Sequence, residues 1–159
     1  MKILIVCLGN ICRSPIAEGV LQQMAVAAGL DWTVASAGTN GYHTGEAPHK
    51  YSRKICRQNG YDIDAQRAAR FQASDFDTYD HIYVMARDVY NDVKQIARTD
   101  ADMQKVHFFL EELFPGEQSE VPDPWYGNEA GYEPVFQLIK KGSEAIIAKH
   151  KILTYKENF

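Results

Sequence analysis

Residues 2–7 (Lys-Ile-Leu-Ile-Val-Cys) form a nearly continuous apolar run of strand length, the pattern of a strand buried on both faces. Leu8-Gly9-Asn10 interrupts it with turn chemistry. Ser14-Pro15 then opens a helix, with Ser14 as N-cap and Pro15 at the first helical position. Ile16, Val20, Leu21, Met24 and Ala28 follow at helical spacing, and Gly29 closes the helix. Residues 33–37 read as a second strand, and 47–59 as a helix stopping at Asn59-Gly60. A third strand is predicted over 81–85, then a helix carrying Val89, Val93, Ile96 and Ala97, then a fourth strand over 105–110. A long polar loop runs from Pro115-Gly116 to Gly131. Val135, Leu138, Ile139 and Ile146 place a last amphipathic helix near 132–150. Strands alternating with helices predict an α/β protein: a single domain over residues 1–159, with an open parallel four-stranded sheet and helices on both faces.

Composition narrows the function classes. A chain of 159 residues, 45% hydrophobic and 24% charged, suits one compact domain. Its net charge of -4 provides no global basic field, so neither nucleic acid nor an anionic membrane is expected as a partner. An anionic substrate has to be held by a local device. Ile3-Leu4-Ile5-Val6 is too short for a signal-peptide core, and no stretch approaches the roughly 20 apolar residues of a membrane span. A cytoplasmic location is expected. The three cysteines, Cys7, Cys12 and Cys56, suit neither a disulfide framework nor a zinc knuckle. His43, His49, His81, His107 and His150 are scattered, and no metal or cofactor is expected.

The segment Cys7-Leu8-Gly9-Asn10-Ile11-Cys12-Arg13-Ser14 carries the chemistry. It lies between the first strand and the first helix, where open α/β folds bind anions on unpaired helix-start N–H groups. Five residues between Cys7 and Arg13 let the loop curl so that several N–H groups converge, with Gly9 free to adopt a backbone that a side chain would penalise. A cysteine at the foot of such a cradle is expected to ionise at neutral pH, with Ser14 adding a hydrogen bond. Arg13 supplies a planar, two-pronged donor for phosphate oxygens.

On these residues the chain resembles the low-molecular-weight protein tyrosine phosphatases. Val6 to Glu18 fits that family's N-terminal C-x5-R-S signature, Ser36-Ala37-Gly38-Thr39 is similar to its second-strand motif, and Asp123-Pro124-Trp125-Tyr126-Gly127 resembles its late Asp-Pro-aromatic loop. The likeness covers essentially the whole chain and implies hydrolysis of protein phosphotyrosine through a phosphocysteine on Cys7. Arg13 would bind the phosphate, and Asp123 would act as general acid and then as base. It also implies that Asn10 holds the loop's shape with support from Ser36, and that Cys12 can form a protective, reversible disulfide with Cys7. Leu8, Gly9, Asn10, Ile11, Cys12 and Ser14 are the expected substrate-binding residues of the loop; Leu8 and Ile11 are its apolar walls, and Tyr42, Trp125 and Tyr126 an aromatic rim. Tyrosine-phosphorylated proteins are the implied partners, a tyrosine kinase being one candidate.

Two departures touch the support of the loop. Gln66 occupies the stretch where a bracing histidine often stands, and Ala86 follows Met85 where aspartate is common. Rival readings are weaker. An arsenate reductase would need further cysteines, and none follows Cys56. Phosphoarginine hydrolysis favours threonine where Ile11 stands. A phosphocysteine carrier must not hydrolyse its own intermediate, which Arg13 together with Asp123 argues against. A catalytically silent phosphate-binding module would show a disabled loop.

Overall fold

The structure is a computed structural model that describes residues 1–157, with side chains through Ile152. Four strands, β1 (Lys2–Cys7), β2 (Thr33–Gly38), β3 (His81–Val84) and β4 (Val106–Phe108), form one all-parallel sheet in the order β2-β1-β3-β4. The α-helices of the described residues are α1 (Arg13–Ala27), α2 (Lys50–Gln58), α3 (Asp75–Thr78), α4 (Arg87–Ile96), α5 (Asp100–Gln104) and α6 (Tyr132–Glu157). Central β1 is buried from Ile3 to Cys7, and the strand period of two splits it between two cores. Ile3, Ile5 and Cys7 pack with Ile16, Val20 and Leu21 of α1 and with Val135, Phe136 and Ile139 of α6. Leu4 and Val6 face the other way, against Phe71, Phe76, Val89 and Val93. This explains the unbroken apolar run in β1. The predicted open parallel sheet with helices on both faces is what forms.

The chain leaves β1 for β2 on one side and later reaches β3 on the other. The carboxyl end of β1 is therefore a switch point, where a crevice opens in sheets of this kind. The first helix begins there, but two residues early, at Arg13 rather than Pro15. Cys12 is the residue before it, without a side-chain cap, and Ser14 lies inside the first turn. Pro15 is thus the third helical residue, still within the turn whose N–H groups need no helical acceptor. Helix α2 starts at Lys50 rather than 47, because Pro48 disfavours helical backbone at Ala47 and His49 is extended, with ψ 143°. β4 ends at Phe108. Phe109 and Leu110 are buried but already turning, so their apolarity reports burial rather than strand. Helix α6 runs on to Glu157, past the expected 150. Among the described residues, no helix is long and apolar enough to cross a membrane, and no group of three or more His, Cys, Asp or Glu is placed to hold a metal ion.

At the amino-terminal end of β3 three histidines meet. His81 Nδ1 lies 3.1 Å from His107 Nε2, and the His150 ring centre is 5.6 Å from that of His81. Burial first holds all three below the ordinary imidazole range; His81 and then Lys149 add to it at His107 and His150, and Lys149 adds to it at His81, while Asp80 opposes this at His81 and Glu112 at the other two. A base depressed in the folded state contributes stability that is complete above its unfolded value, about 6.5, and is lost as pH falls below it. The urea midpoint is therefore expected to drop between pH of about 7.5 and about 5.5, and to drop less in His107→Gln. Equal drops in the two proteins would show that the cluster does not set the acid sensitivity.

Candidate active site

After Cys7 the chain curls, and its outward carbonyls are pinned one by one. Thr39 N–H donates to Cys7 O at 3.0 Å, Asn40 N–H to Leu8 O at 3.0 Å, His49 N–H to Ile11 O at 2.7 Å, and Ser52 Oγ to Cys12 O at 3.3 Å. Among the described residues, the N–H groups of Leu8, Gly9, Ile11 and Cys12 have no protein acceptor. That division between carbonyls and amides is what an anion nest requires. The strained position is Asn10, with φ 58°, and not Gly9 as expected; asparagine tolerates this region better than most residues. Gly38 is required for a different reason. A Cβ there would come within 2.8 Å of Leu8 O, so only glycine lets the end of β2 approach the loop.

Asn10 organises the rear of the loop. Its Oδ1 accepts the Ala69 N–H at 2.9 Å, and its Nδ2 donates to Ser14 Oγ at 2.7 Å and to Ser36 Oγ at 2.9 Å. Ser14 Oγ, having accepted from the amide, directs its own hydrogen to Cys7 Sγ 2.9 Å away. The Asn10 N–H also points at that sulfur, at 3.3 Å. Ser36 passes its hydrogen to Glu18 Oε1 at 2.8 Å; burial pushes the Glu18 carboxyl up, which this bond partly offsets. Ser14 therefore acts as a donor to the sulfur and not as a helix cap. Gln66 does not brace Asn10, since its amide donates to Pro15 O at 3.1 Å instead.

In front of the loop, Arg13 is buried, with Nη1 donating to Val121 O at 3.0 Å and Nη2 lying 3.4 Å from Asp123 Oδ2. The other oxygen, Asp123 Oδ1, accepts the Trp125 N–H at 3.0 Å and caps the 3-10 turn Pro124–Tyr126. One carboxylate thus starts a turn and faces the arginine at once. A cavity of about 310 Å³ opens over the loop, lined by Cys7, Leu8, Gly9, Ile11, Cys12, Arg13, Asn40, Tyr42, His43, Asp123, Trp125 and Tyr126. Tyr42 and Tyr126 are 86% and 80% exposed and Trp125 47%, so they form a rim and not core.

Ten of the expected residues meet in this cavity. Asn10, Ser14 and Ser36 do not line it; they stand behind Cys7 as scaffolding. The lining residues the motifs did not single out are Asn40 and His43; the His43 Nδ1 lies 2.6 Å from Glu46 Oε2 and its ring stands 5.7 Å from that of Trp125. Their position after Ser36-Ala37-Gly38-Thr39 was the only available signal. Cys56 is buried in the core, and burial pushes its thiol up to about 12.

An anion cradle built after the first strand of a parallel sheet, with a cysteine at its foot, defines a class of phosphate-handling α/β proteins. The comparisons make this specific. The sequence model of the low molecular weight phosphotyrosine protein phosphatases matches residues 2–156, and the chain belongs to that family. It is 34% identical over 153 residues to the low molecular weight protein-tyrosine-phosphatase YfkJ of Bacillus subtilis, covering 93% of this chain and 94% of the relative. The crystal structure of a protein tyrosine phosphatase from Entamoeba histolytica with Hepes in its active site superposes with a TM-score of 0.89 at 33% identity, covering 97% of this chain and 99% of that one. Vibrio vulnificus Wzb in complex with benzylphosphonate gives a TM-score of 0.82 at 30% identity, covering 93% and 97%. The chain is thus a member of an enzyme family of protein-tyrosine phosphatases.

Proposed function

We propose that the chain hydrolyses phosphotyrosine on proteins through a phosphocysteine at Cys7. The observation that carries this is the convergence of the Cys7 sulfur, the unpaired loop N–H groups, Arg13 and the Asp123 carboxylate on one cavity. The attacking species is the thiolate. The S–P bond forms as the P–O bond to the tyrosine breaks, and the Asp123 carboxyl gives its proton to the departing phenolic oxygen. Loop N–H groups and Arg13 carry the charge on the three equatorial oxygens. Water then attacks phosphorus, giving its proton back to Asp123, and the S–P bond breaks to release phosphate and the thiolate. Benzylphosphonate, held by the Vibrio vulnificus relative, carries a phenyl ring one methylene from its phosphorus, the methylene standing in for an ester oxygen, and supports an aryl phosphate as the fitting substrate. A Cys7–Cys12 disulfide belongs to the same proposal: peroxide would oxidise the Cys7 thiolate to a sulfenic acid, and the Cys12 sulfur would then displace its oxygen as water, both residues lining the cavity.

Phosphotyrosine places phosphorus farther from the peptide backbone than phosphoserine does, and a slot between Leu8 and Ile11 with an aromatic rim selects for that reach. Trp125→Ala is expected to lower kcat/KM for phosphotyrosine peptides by roughly threefold to tenfold, the scale of one lost aromatic wall. Small activated aryl phosphates, which do not reach the rim, should be spared. The deciding assay compares phosphotyrosine, phosphoserine and phosphoarginine peptides on the wild-type protein. Better turnover of phosphoserine or phosphoarginine would leave only a generic cysteine-dependent phosphatase.

A further inference from the structure

His49 stands where three parts of the site meet. It precedes α2, and its Nδ1 accepts the Tyr51 N–H at 3.2 Å, capping that helix. Its own N–H holds the Ile11 carbonyl of the loop at 2.7 Å. One ring face stacks on Tyr132, with centres 5.7 Å apart and planes 16° from parallel. Trp125, two residues after Asp123, meets the ring nearly edge-on at 5.5 Å and 81°. Tyr132 Oη lies 3.4 Å from His49 Nδ1 and 3.4 Å from Cys12 Sγ.

The hydrogen bonds have a direction. A ring nitrogen that accepts an amide proton keeps its lone pair, so the imidazole is neutral with its proton on Nε2. The Tyr132 hydroxyl, 3.4 Å away, shares that one lone pair as a second, weaker donor and accepts from the Cys12 thiol, which burial pushes up to about 11 and so keeps protonated. A one-way chain runs from Cys12 through Tyr132 to His49. Burial, with Lys50 and Arg53 adding to it, holds His49 below the ordinary imidazole range. The other groups facing it are Tyr51 on α2, Tyr132 on α6, Cys12 at the start of α1 and Trp125 on the acid loop; the Asp123 charge reaches Tyr132 and Cys12. Lys54 on α2 also pairs with Glu129 beyond the acid loop, at 2.5 Å. A proton on Nδ1 would turn the acceptor into a donor. Tyr51 N–H and the Tyr132 hydroxyl would then both confront a donor, and the chain would have to reverse or break.

We propose that neutral His49 is a positioning residue for the phosphatase reaction: it holds Trp125, and with it Asp123, against the phosphate loop, and its protonation releases that hold. The proposal rests on the function argued above. It differs from a merely structural role because it ties one proton to the placement of the acid loop.

The test uses His49→Asn, which keeps a capping acceptor but removes the ring. At neutral pH, its kcat for a phosphotyrosine peptide is expected to fall by about tenfold, and that for nitrophenyl phosphate by only about twofold, because a displaced acid matters least to a stable leaving group. With Trp32→Phe in the background, Trp125 is the remaining tryptophan. Its fluorescence is expected to titrate in the protein carrying His49, with a midpoint below the ordinary imidazole value of about 6.5, and to be flat in His49→Asn. His43→Gln should keep the titration, which separates His49 from the other histidine against Trp125. Tyr132→Phe severs the chain without touching the cap and should shift the fluorescence midpoint; an unchanged midpoint refutes the proposal even if His49→Asn does not fold. A folded His49→Asn with the wild-type leaving-group dependence overturns the proposal alone. A wild-type protein that hydrolyses no phosphotyrosine overturns the functional reading, and the proposal with it.

Discussion

Turnover by Cys7→Ser is expected to fall on the order of 10⁴-fold or more, the scale of losing a covalent nucleophile, while substrate binding stays within about threefold of wild type. The asymmetry follows from how the site is divided. On the proposed mechanism, phosphate would be held by Arg13 and by the N–H groups of a loop whose carbonyls are fixed by Thr39, Asn40 and His49. None of these contacts passes through the sulfur. The Asn10 N–H and the Ser14 hydroxyl do end on Cys7 Sγ, at 3.3 and 2.9 Å. In the variant they would end on a neutral hydroxyl that is far too weak an acid to ionise there. Two measurements check this: calorimetric binding of a phosphotyrosine peptide to the variant, and rapid-quench mass spectrometry of wild-type Cys7 for a phosphoryl increment. Near-wild-type hydrolysis by the variant, with no phosphoryl group trapped on Cys7, would falsify the mechanism.

What could be read in advance depended on whether a residue's neighbours in sequence are also its neighbours in space. β1 and α1 were legible because a strand buried on both faces is continuously apolar, and because Ile16, Val20 and Leu21 repeat on one helix face. The short helices α3 and α5 were not, since four or five residues leave no period to detect. Residues 105–110 were read as a longer strand because buried turn residues such as Phe109 and Leu110 are as apolar as strand residues. Cys7, Arg13 and Asp123 were legible through local motifs. The left-handed backbone was assigned to Gly9 by propensity, whereas Asn10 takes it because its amide is held from three sides, by Ala69, Ser14 and Ser36. His49 and Tyr132 were silent. They lie 83 positions apart and acquire meaning only when α2, α6 and the acid loop are packed together.

Asp123→Asn should slow phosphotyrosine hydrolysis by about 10²–10⁴-fold, the usual worth of a general acid, and affect an activated nitrophenyl ester far less. The replacement is nearly isosteric. Its carbonyl oxygen can keep accepting the Trp125 N–H, as Asp123 Oδ1 does at 3.0 Å, so the turn Pro124–Tyr126 should survive. What is lost is a proton to give and a negative charge 3.4 Å from Arg13 Nη2. Without that charge, Arg13 is left with the Val121 carbonyl as its protein partner and attracts a phosphate dianion more strongly, so KM should not rise. The effect therefore falls on kcat, the mark of an interaction made in the transition state. A phenoxide leaving tyrosine needs the proton badly, whereas nitrophenoxide is stable without it. With the activated ester, the first step stays fast and the second, now lacking its base, becomes limiting. Phosphocysteine should then accumulate, giving a burst of nitrophenol equal to the enzyme concentration. Stopped-flow absorbance reads that burst, and a phosphotyrosine peptide under the same conditions should show none. Equal losses on both substrates with no burst would mean that Asp123 serves the turn and not the chemistry.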